Sequence, residues 1–350
     1  MSGSNASCQA LPPVTVALEL TNQLPRSLSF PVFLADQMRL IHAVREAGWD
    51  AISTSQHFLT EDLQMLQPVP FLSALATQTG QMRLELGLLL LTLLNPVEVA
   101  ENLATLDVIC GGRLVLVVGL GYRDSEYAAF GIAKRDRVRR FEANLELLLR
   151  LWGEDPVSVD LPWCQLSEAT ISVKPVQVPR PQVWVGANAD NAVRRAARLG
   201  DSWYINPHAT TETVLRQLDI FRSERRLLGL APPTTLPMAR EIFCGPSREQ
   251  ALSAAAPWLR RKYEVYGVWG QAKVLPGHDS FDGALADLAE QRFIIGTPDD
   301  CLAELLEWRR LGVNHFSLRT SWLDMPAEVA LTSIDLLNRE VLPVLRSSGS

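Results

Sequence analysis

Cysteine, histidine and long apolar runs are all scarce in this chain, and each scarcity removes a class of protein. The 350 residues hold five cysteines, Cys8, Cys110, Cys164, Cys244 and Cys301, an odd and scattered set without a C-x-x-C pair. That excludes a disulfide framework and a cysteine metal knuckle, and it points to a reducing, cytoplasmic setting. The longest apolar run, Leu86 to Leu94, is broken by Gly87 and Thr92 and is far shorter than the ~20 residues of a bilayer helix. No membrane partner is expected. Residues 1 to 10 lack a basic start and an apolar stretch, so a cleaved signal is not expected, and residues 1–12 read as a flexible tail. A basic excess is missing too. With 33 basic against 39 acidic residues the net charge is -6, which leaves no positive field to gather nucleic acid.

What the chain does have is an ordinary globular balance, 47% hydrophobic and 21% charged, arranged in a repeating pattern. Short Val/Ile/Leu-rich segments predict eight strands: Val14–Leu20, Ala51–Thr54, Leu84–Leu94, Leu114–Gly119, Gln182–Gly186, Ser202–Ile205, Leu236–Phe243 and Val313–Arg319. Amphipathic stretches separate them, among them Ala35–Ala47, Pro96–Cys110, Phe141–Leu151, Ala189–Leu199 and Thr210–Leu228. Alternating strands and helices imply a parallel sheet, and eight units are the number that closes an α/β (β/α)8 TIM barrel. Residues 13–346 therefore read as a single barrel domain. Insertions are expected after strand 4, about residues 153–181, and between strands 7 and 8, about residues 248–292.

In such a barrel the chemistry lies at the C-terminal ends of the strands. His57 follows strand 2, and its imidazole titrates near neutrality, which suits a general acid or base; a hydrogen-bonded structural histidine is the alternative. Gly119 and Gly121 follow strand 4 beside Tyr122. They either let the chain turn or let a flat ring approach the backbone, and without a third glycine they are no dinucleotide fingerprint. Gly186, Ala187, Asn188 and Ala189 end strand 5 and open a helix, where free N–H groups suit a phosphate; Asn188 or Asp190 as an ordinary cap is the plainer reading. The run Lys134-Arg135-Asp136-Arg137-Val138-Arg139-Arg140 sets cations at a helix start, against the macrodipole, with Asp136 and Glu142 as available partners. Phe58, Trp203, Arg319 and Trp322 are candidates for a substrate pocket. His42 and His315 read as structural, and no metal site, Ser/His/Asp elbow or P-loop is present in the sequence.

These residues resemble the bacterial luciferase-like monooxygenase family over about Val14 to Arg346. The most specific block is Asn95-Pro96-Val97-Glu98-Val99-Ala100-Glu101, Leu106-Asp107, Gly111-Gly112-Arg113-Leu114, Gly119-Leu120-Gly121, Phe130-Gly131 and Glu142. Supporting blocks are Gly48-Trp49-Asp50-Ala51, Gln56-His57-Phe58, Gly200-Asp201-Ser202-Trp203 and Gly296-Thr297-Pro298. The resemblance implies a cytoplasmic flavin-dependent oxidoreductase in which reduced, exchangeable FMN and oxygen oxygenate a small organic substrate through a flavin peroxide. It implies a separate NAD(P)H:flavin reductase and a homodimer. By position, His57 would lie near the reacting flavin carbon, while Arg137 and the Gly186 to Ala189 turn would hold the phosphate. Leu89 and Leu90, on a bulge around Leu88 to Leu91 that often carries a non-prolyl cis peptide, would back the ring. Residues 248–292 would cover the mouth.

The sequence departs from its relatives at Gln56 and Phe58, where many have Glu and His, so a thinner polar network around His57 is expected. Ala189 and Ala192 replace hydroxyl residues of the phosphate loop, leaving N–H groups and arginine to hold the anion. The family also contains enzymes that use a reduced deazaflavin coenzyme for hydride transfer and catalytically silent flavin-binding subunits, and both stand as alternatives.

Overall fold

The structure, a computed structural model, describes residues 12–276, 279–281 and 283–348. The expected tail up to residue 11, with Cys8, and His278 in the second insertion lie outside the described residues. Eight parallel strands form the barrel: β1 (Thr15–Glu19), β2 (Ala51–Ser53), β3 (Arg83–Leu89), β4 (Leu114–Val118), β5 (Gln182–Ala187), β6 (Ser202–Ile205), β7 (Pro237–Cys244) and β8 (His315–Arg319). They pair in the ring order β6-β5-β4-β3-β2-β1-β8-β7, and β6 against β7 closes it at Ile205 and Met238. All eight segments expected from the pattern are barrel strands.

Eight helices alternate with them: α1 (Phe30–Glu46), α2 (Pro68–Leu75), α3 (Pro96–Ile109), α4 (Arg137–Gly153), α5 (Asp190–Leu199), α6 (Thr211–Leu227), α7 (Pro298–Arg310) and α8 (Ala327–Leu336). Their starts follow from local chemistry. Asn95 accepts from the Val97 and Glu98 N–H groups with Pro96 behind it, and Thr297 and Asp300 form a reciprocal capping box. Each strand turns alternate residues outward onto these helices. On β8, Phe316 and Leu318 join the outer apolar core, whereas Ser317 reaches Glu85 and His315 lies 2.8 Å from Glu85 inside the barrel. Trp184 stacks on Tyr204 above this layer. A packed polar and aromatic plug thus fills the barrel beneath the mouth, with His315 inside it.

The third strand ends at Leu89, five residues before the expected Leu94. Its pairing with β4 runs Leu86 to Leu116 and then Leu89 to Val118, so one extra residue bulges out beside a cis Gly87–Leu88 peptide. A regular strand would turn residues 85, 87 and 89 inward; the extra residue shifts that phase by one.

The two expected insertions stand outside the eight units. Between α4 and β5 an antiparallel hairpin pairs Val157–Leu161 with Cys164–Ala169. Between β7 and α7 lie a helix Arg248–Val268, a 3-10 turn Gln271–Val274, a helix Leu285–Arg292 and a short strand Ile294–Gly296 on the outer edge of β7. On the long helix Ala251, Ala255, Leu259, Lys262 and Tyr266 are buried together, so a lysine occupies the apolar face.

Candidate active site

At the C-terminal ends of the strands a cavity of about 500 Å³ opens between the barrel and the second insertion. Strands β4 and β5 supply one side of its wall and β8 and β1 the opposite side, because these pairs lie across the ring from each other.

On the β4–β5 side the wall is nearly flat. Leu88 and Leu90 face the cavity, together with Gly119, Gly121, Gly186 and Ala187. A Cβ on Gly186 would lie 2.3 Å from Leu88 Cδ2, so this leucine occupies the space the missing side chain leaves. Gln56 accepts a 2.9 Å hydrogen bond from the Leu90 N–H and thereby ties the β3 bulge to the loop after β2. Leu89, expected to back a ring, instead packs into the outer core, because the bulge reverses the alternation.

Beside this shelf helix α5 begins. Its N-cap is Ala189, without a side-chain acceptor, so neither expected cap operates: Asn188 Oδ1 is held by Asn206 at 2.8 Å and Asp190 pairs with Arg216. The Ala192 and Val193 N–H groups close on the Ala189 carbonyl, which leaves those of Asp190 and Asn191 without an intrahelical partner beside a cavity wall that includes Asn191, Arg137 and Arg195. The cation run is mostly accounted for. Lys134 pairs with Asp124 at 2.6 Å, while Arg140 lies over the Trp163 ring and donates to the Thr92 carbonyl. Arg137 donates to the Lys134 carbonyl at 2.9 Å and has no acidic partner among the described residues. Glu142, expected to serve that run, pairs with Arg195 at 3.0 Å.

His57 lines the cavity beyond the shelf. Its Nδ1 lies 3.1 Å from Glu126 Oε1, and that oxygen also accepts from the Phe58 N–H at 2.9 Å. Arg123 Nη1 donates to the Phe58 carbonyl at 2.6 Å and lies 3.4 Å from the same Glu126 oxygen, with its guanidinium over Trp269. The rings of Tyr122, Tyr266 and Trp269 pack around the imidazole, the two tyrosines edge-to-face and the tryptophan tilted. The expectation of a thinned network fails here: the carboxylate missing at Gln56 comes from Glu126, on the short helix Asp124–Ala129. Burial pushes the Tyr122 phenol well above its usual range, so it stays protonated.

Across the ring a charged floor joins β1, β7 and β8 to the insertion. Arg319 pairs with Glu19, and Lys262 pairs with Glu241, which also accepts from Trp322 Nε1. Burial opposes both charges of the second pair, yet Lys262 and Arg319 hold the Glu241 carboxyl below its usual range. Although burial works against it, Glu19 and Glu241 hold the Arg319 guanidinium above its own. His208 completes this side. Burial, then Lys262, Arg319 and Arg292, push its imidazole well below the usual value and keep it neutral.

Of the residues expected in the site, the cavity brings together His57, Leu90, Gly119, Gly121, Tyr122, Arg137, Gly186, Ala187, Asn188, Ala189 and Arg319. Phe58 turns away and packs at 4.8 Å on Phe130. Trp203 points outward from β6 to Phe221 of α6, its neighbour Tyr204 taking the inward position. Trp322 lies under the insertion, beside Phe243, with its indole N–H on Glu241. Glu126, Arg195, Lys262 and Glu19 were not anticipated. The signal for Lys262 was a charge at an apolar-face position of an amphipathic pattern. For Glu126 there was only its place within the block that runs from Gly121 to Phe130.

A model of the luciferase-like monooxygenase family matches residues 20–315. The chain belongs to that family. With membership comes the general class, oxidoreductase. Among its relatives, the oxygenase component of a flavin-dependent trigonelline monooxygenase from Acinetobacter baylyi is 24% identical over 90% of this chain and 91% of its own. A phthiodiolone/phenolphthiodiolone dimycocerosates ketoreductase from Mycobacterium tuberculosis is 26% identical over 67% of this chain and 68% of its own. Among solved structures, monooxygenase RslO1 from Streptomyces bottropensis superposes with a TM-score of 0.82 at 24% identity, covering 94% of this chain and 99% of that one. Among the described residues no group of His, Cys, Asp or Glu is arranged to hold a metal ion, and no helix is long and apolar enough to cross a membrane.

Proposed function

We propose that this family member is the oxygenase component of a two-component monooxygenase, using reduced FMN delivered by a separate NAD(P)H:flavin reductase to oxygenate a small organic substrate. One observation carries the reading: a single cavity joins an anion cradle, a flat shelf and a buried histidine, in that order around the strand ends. The residues present fit the cofactor. The uncapped start of α5 and the unpaired Arg137 suit a phosphate, with Arg195 beside them, and the Leu88–Gly186 shelf suits a planar ring.

Bound reduced FMN supplies the electrons that activate dioxygen. This chain supplies the rest. The Asp190 and Asn191 N–H groups at the start of α5, with Arg137, would bind the phosphate. Leu88 and Leu90 set the plane of the ring. Tyr266, Trp269 and the insertion helix shield the mouth from water, which strengthens every electrostatic contact inside. His57, held through Nδ1, keeps Nε2 for giving or taking a proton in the cavity. Arg319, Lys262 and neutral His208 line the side where a polar substrate group would dock.

Oxygen consumption tests this. The protein is supplied with FMN, NADH and a separate flavin reductase, and candidate substrates are screened under labelled dioxygen. Label appearing in product supports the oxygenase. Substrate reduced anaerobically by a reduced deazaflavin, without label uptake under oxygen, favours the hydride-transfer alternative.

A further inference from the structure

We infer that Glu126 is a positioning residue which fixes the tautomer of His57, presenting an unprotonated Nε2 to the cavity. The inference deepens the reading of His57 as the proton-handling group and rests on it.

The geometry leaves the imidazole one arrangement. Glu126 Oε1 receives the Phe58 N–H at 2.9 Å and stands 3.1 Å from His57 Nδ1, so the ring nitrogen next to it is a donor. The carboxylate is fully buried, and its other oxygen, Oε2, has no partner among the described residues. Oε1 already faces two donors, the Phe58 N–H and Arg123 Nη1 at 3.4 Å, and so meets His57 as an acceptor with room for a third. His57 is that third donor. With Nδ1–H committed, the lone pair of a neutral imidazole falls on Nε2.

The groups packed around His57 do not compete for that role. Tyr122 and Tyr266 meet it edge-to-face and Trp269 at a tilt, and none carries a charge, since burial pushes both phenols up. Arg123 stands behind Glu126, where it also donates to the Leu59 carbonyl and reaches Glu61 at 3.4 Å. Neutral His208 shares the cavity. Gln56 and Gln67 bond to each other at 3.1 Å, and Gln67 also holds the His57 carbonyl at 3.0 Å, fixing the backbone without touching the ring.

The test is nitrogen NMR of protein carrying labelled histidine, with the His57 signals assigned by difference against His57→Gln. At pH above the imidazole titration the wild type is expected to show Nδ1 protonated and Nε2 bare. Glu126→Gln, which keeps an acceptor, should retain that form, whereas Glu126→Ala should move His57 toward the Nε2–H form. Turnover of Glu126→Ala should fall about 10²-fold, the scale of general acid–base assistance, with FMN affinity within about twofold of wild type. A wild-type spectrum with protonated Nε2 overturns the inference, and so does a Glu126→Ala spectrum identical to wild type. If Glu126→Ala does not fold, the wild-type spectrum alone decides. The tautomer is read without cofactor or substrate, so the expected spectrum in a protein that never consumes oxygen keeps Glu126 in place and rejects only the oxygenase reading.

Discussion

Gly186 of β5 and Leu88 of the β3 bulge share one volume: a methyl on the glycine would come within 2.3 Å of the leucine Cδ2. The two strands are not neighbours, for β4 lies between them, so the leucine reaches across Gly119 to fill the gap. This reach makes the shelf flat.

Gly186→Ala should therefore push Leu88 off its seat. Overpacking of this kind costs about 1–3 kcal/mol, visible as a lower urea midpoint. FMN binding, followed by fluorescence, should weaken at least about tenfold. Adding Leu88→Ala should recover much of the stability. An unchanged FMN affinity in Gly186→Ala would show that the shelf does not carry the ring.

Arg137 is the cation of the run that lines the cavity, whereas Lys134 and Arg140 have partners of their own. Arg137→Ala should weaken FMN by roughly 1.5–3 kcal/mol, the range for a hydrogen bond to a charged group, and leave riboflavin nearly unaffected. Equal losses for both flavins would assign Arg137 to the fold.

His208 gives a pH signature. Its folded-state value is depressed, so below the ordinary value near 6.5 the unfolded chain takes up a proton that the folded chain refuses. The stability it lends is complete above that value and is lost as pH falls toward the folded one. Urea unfolding should show an added loss of roughly 1 kcal/mol per pH unit below about pH 6, absent in His208→Gln. Identical slopes in both proteins would mean that His208 is protonated in the native cavity.

Much of this architecture is written in local patterns. The strands announce themselves because residues such as Leu114 to Val118 are buried on both faces and need no polar alternation. Gly121, Gly186 and Arg137 stood out because each breaks a local rule, of chirality, side-chain volume and charge placement in turn. What stayed hidden depends on phase and distance. The resemblance announced a bulge in β3, but not that its one extra residue exchanges the faces of Leu88 and Leu89, a phase that periodicity does not register. The aromatic candidates failed for a related reason: Trp203 and Tyr204 are adjacent, and only the strand's orientation decides which enters the cavity. Glu126 meets His57 across 69 positions, and Arg319 meets Glu19 across 300, separations at which no spacing rule applies.

Anaerobic competition between two reduced cofactors tests the central claim most directly. Purified protein is titrated with reduced FMN and with the reduced deazaflavin coenzyme, singly and together, by fluorescence or calorimetry. Tighter binding of reduced FMN, weakened by Arg137→Ala, is the result the oxygenase account predicts. Preference for the deazaflavin, or binding of neither, would contradict it.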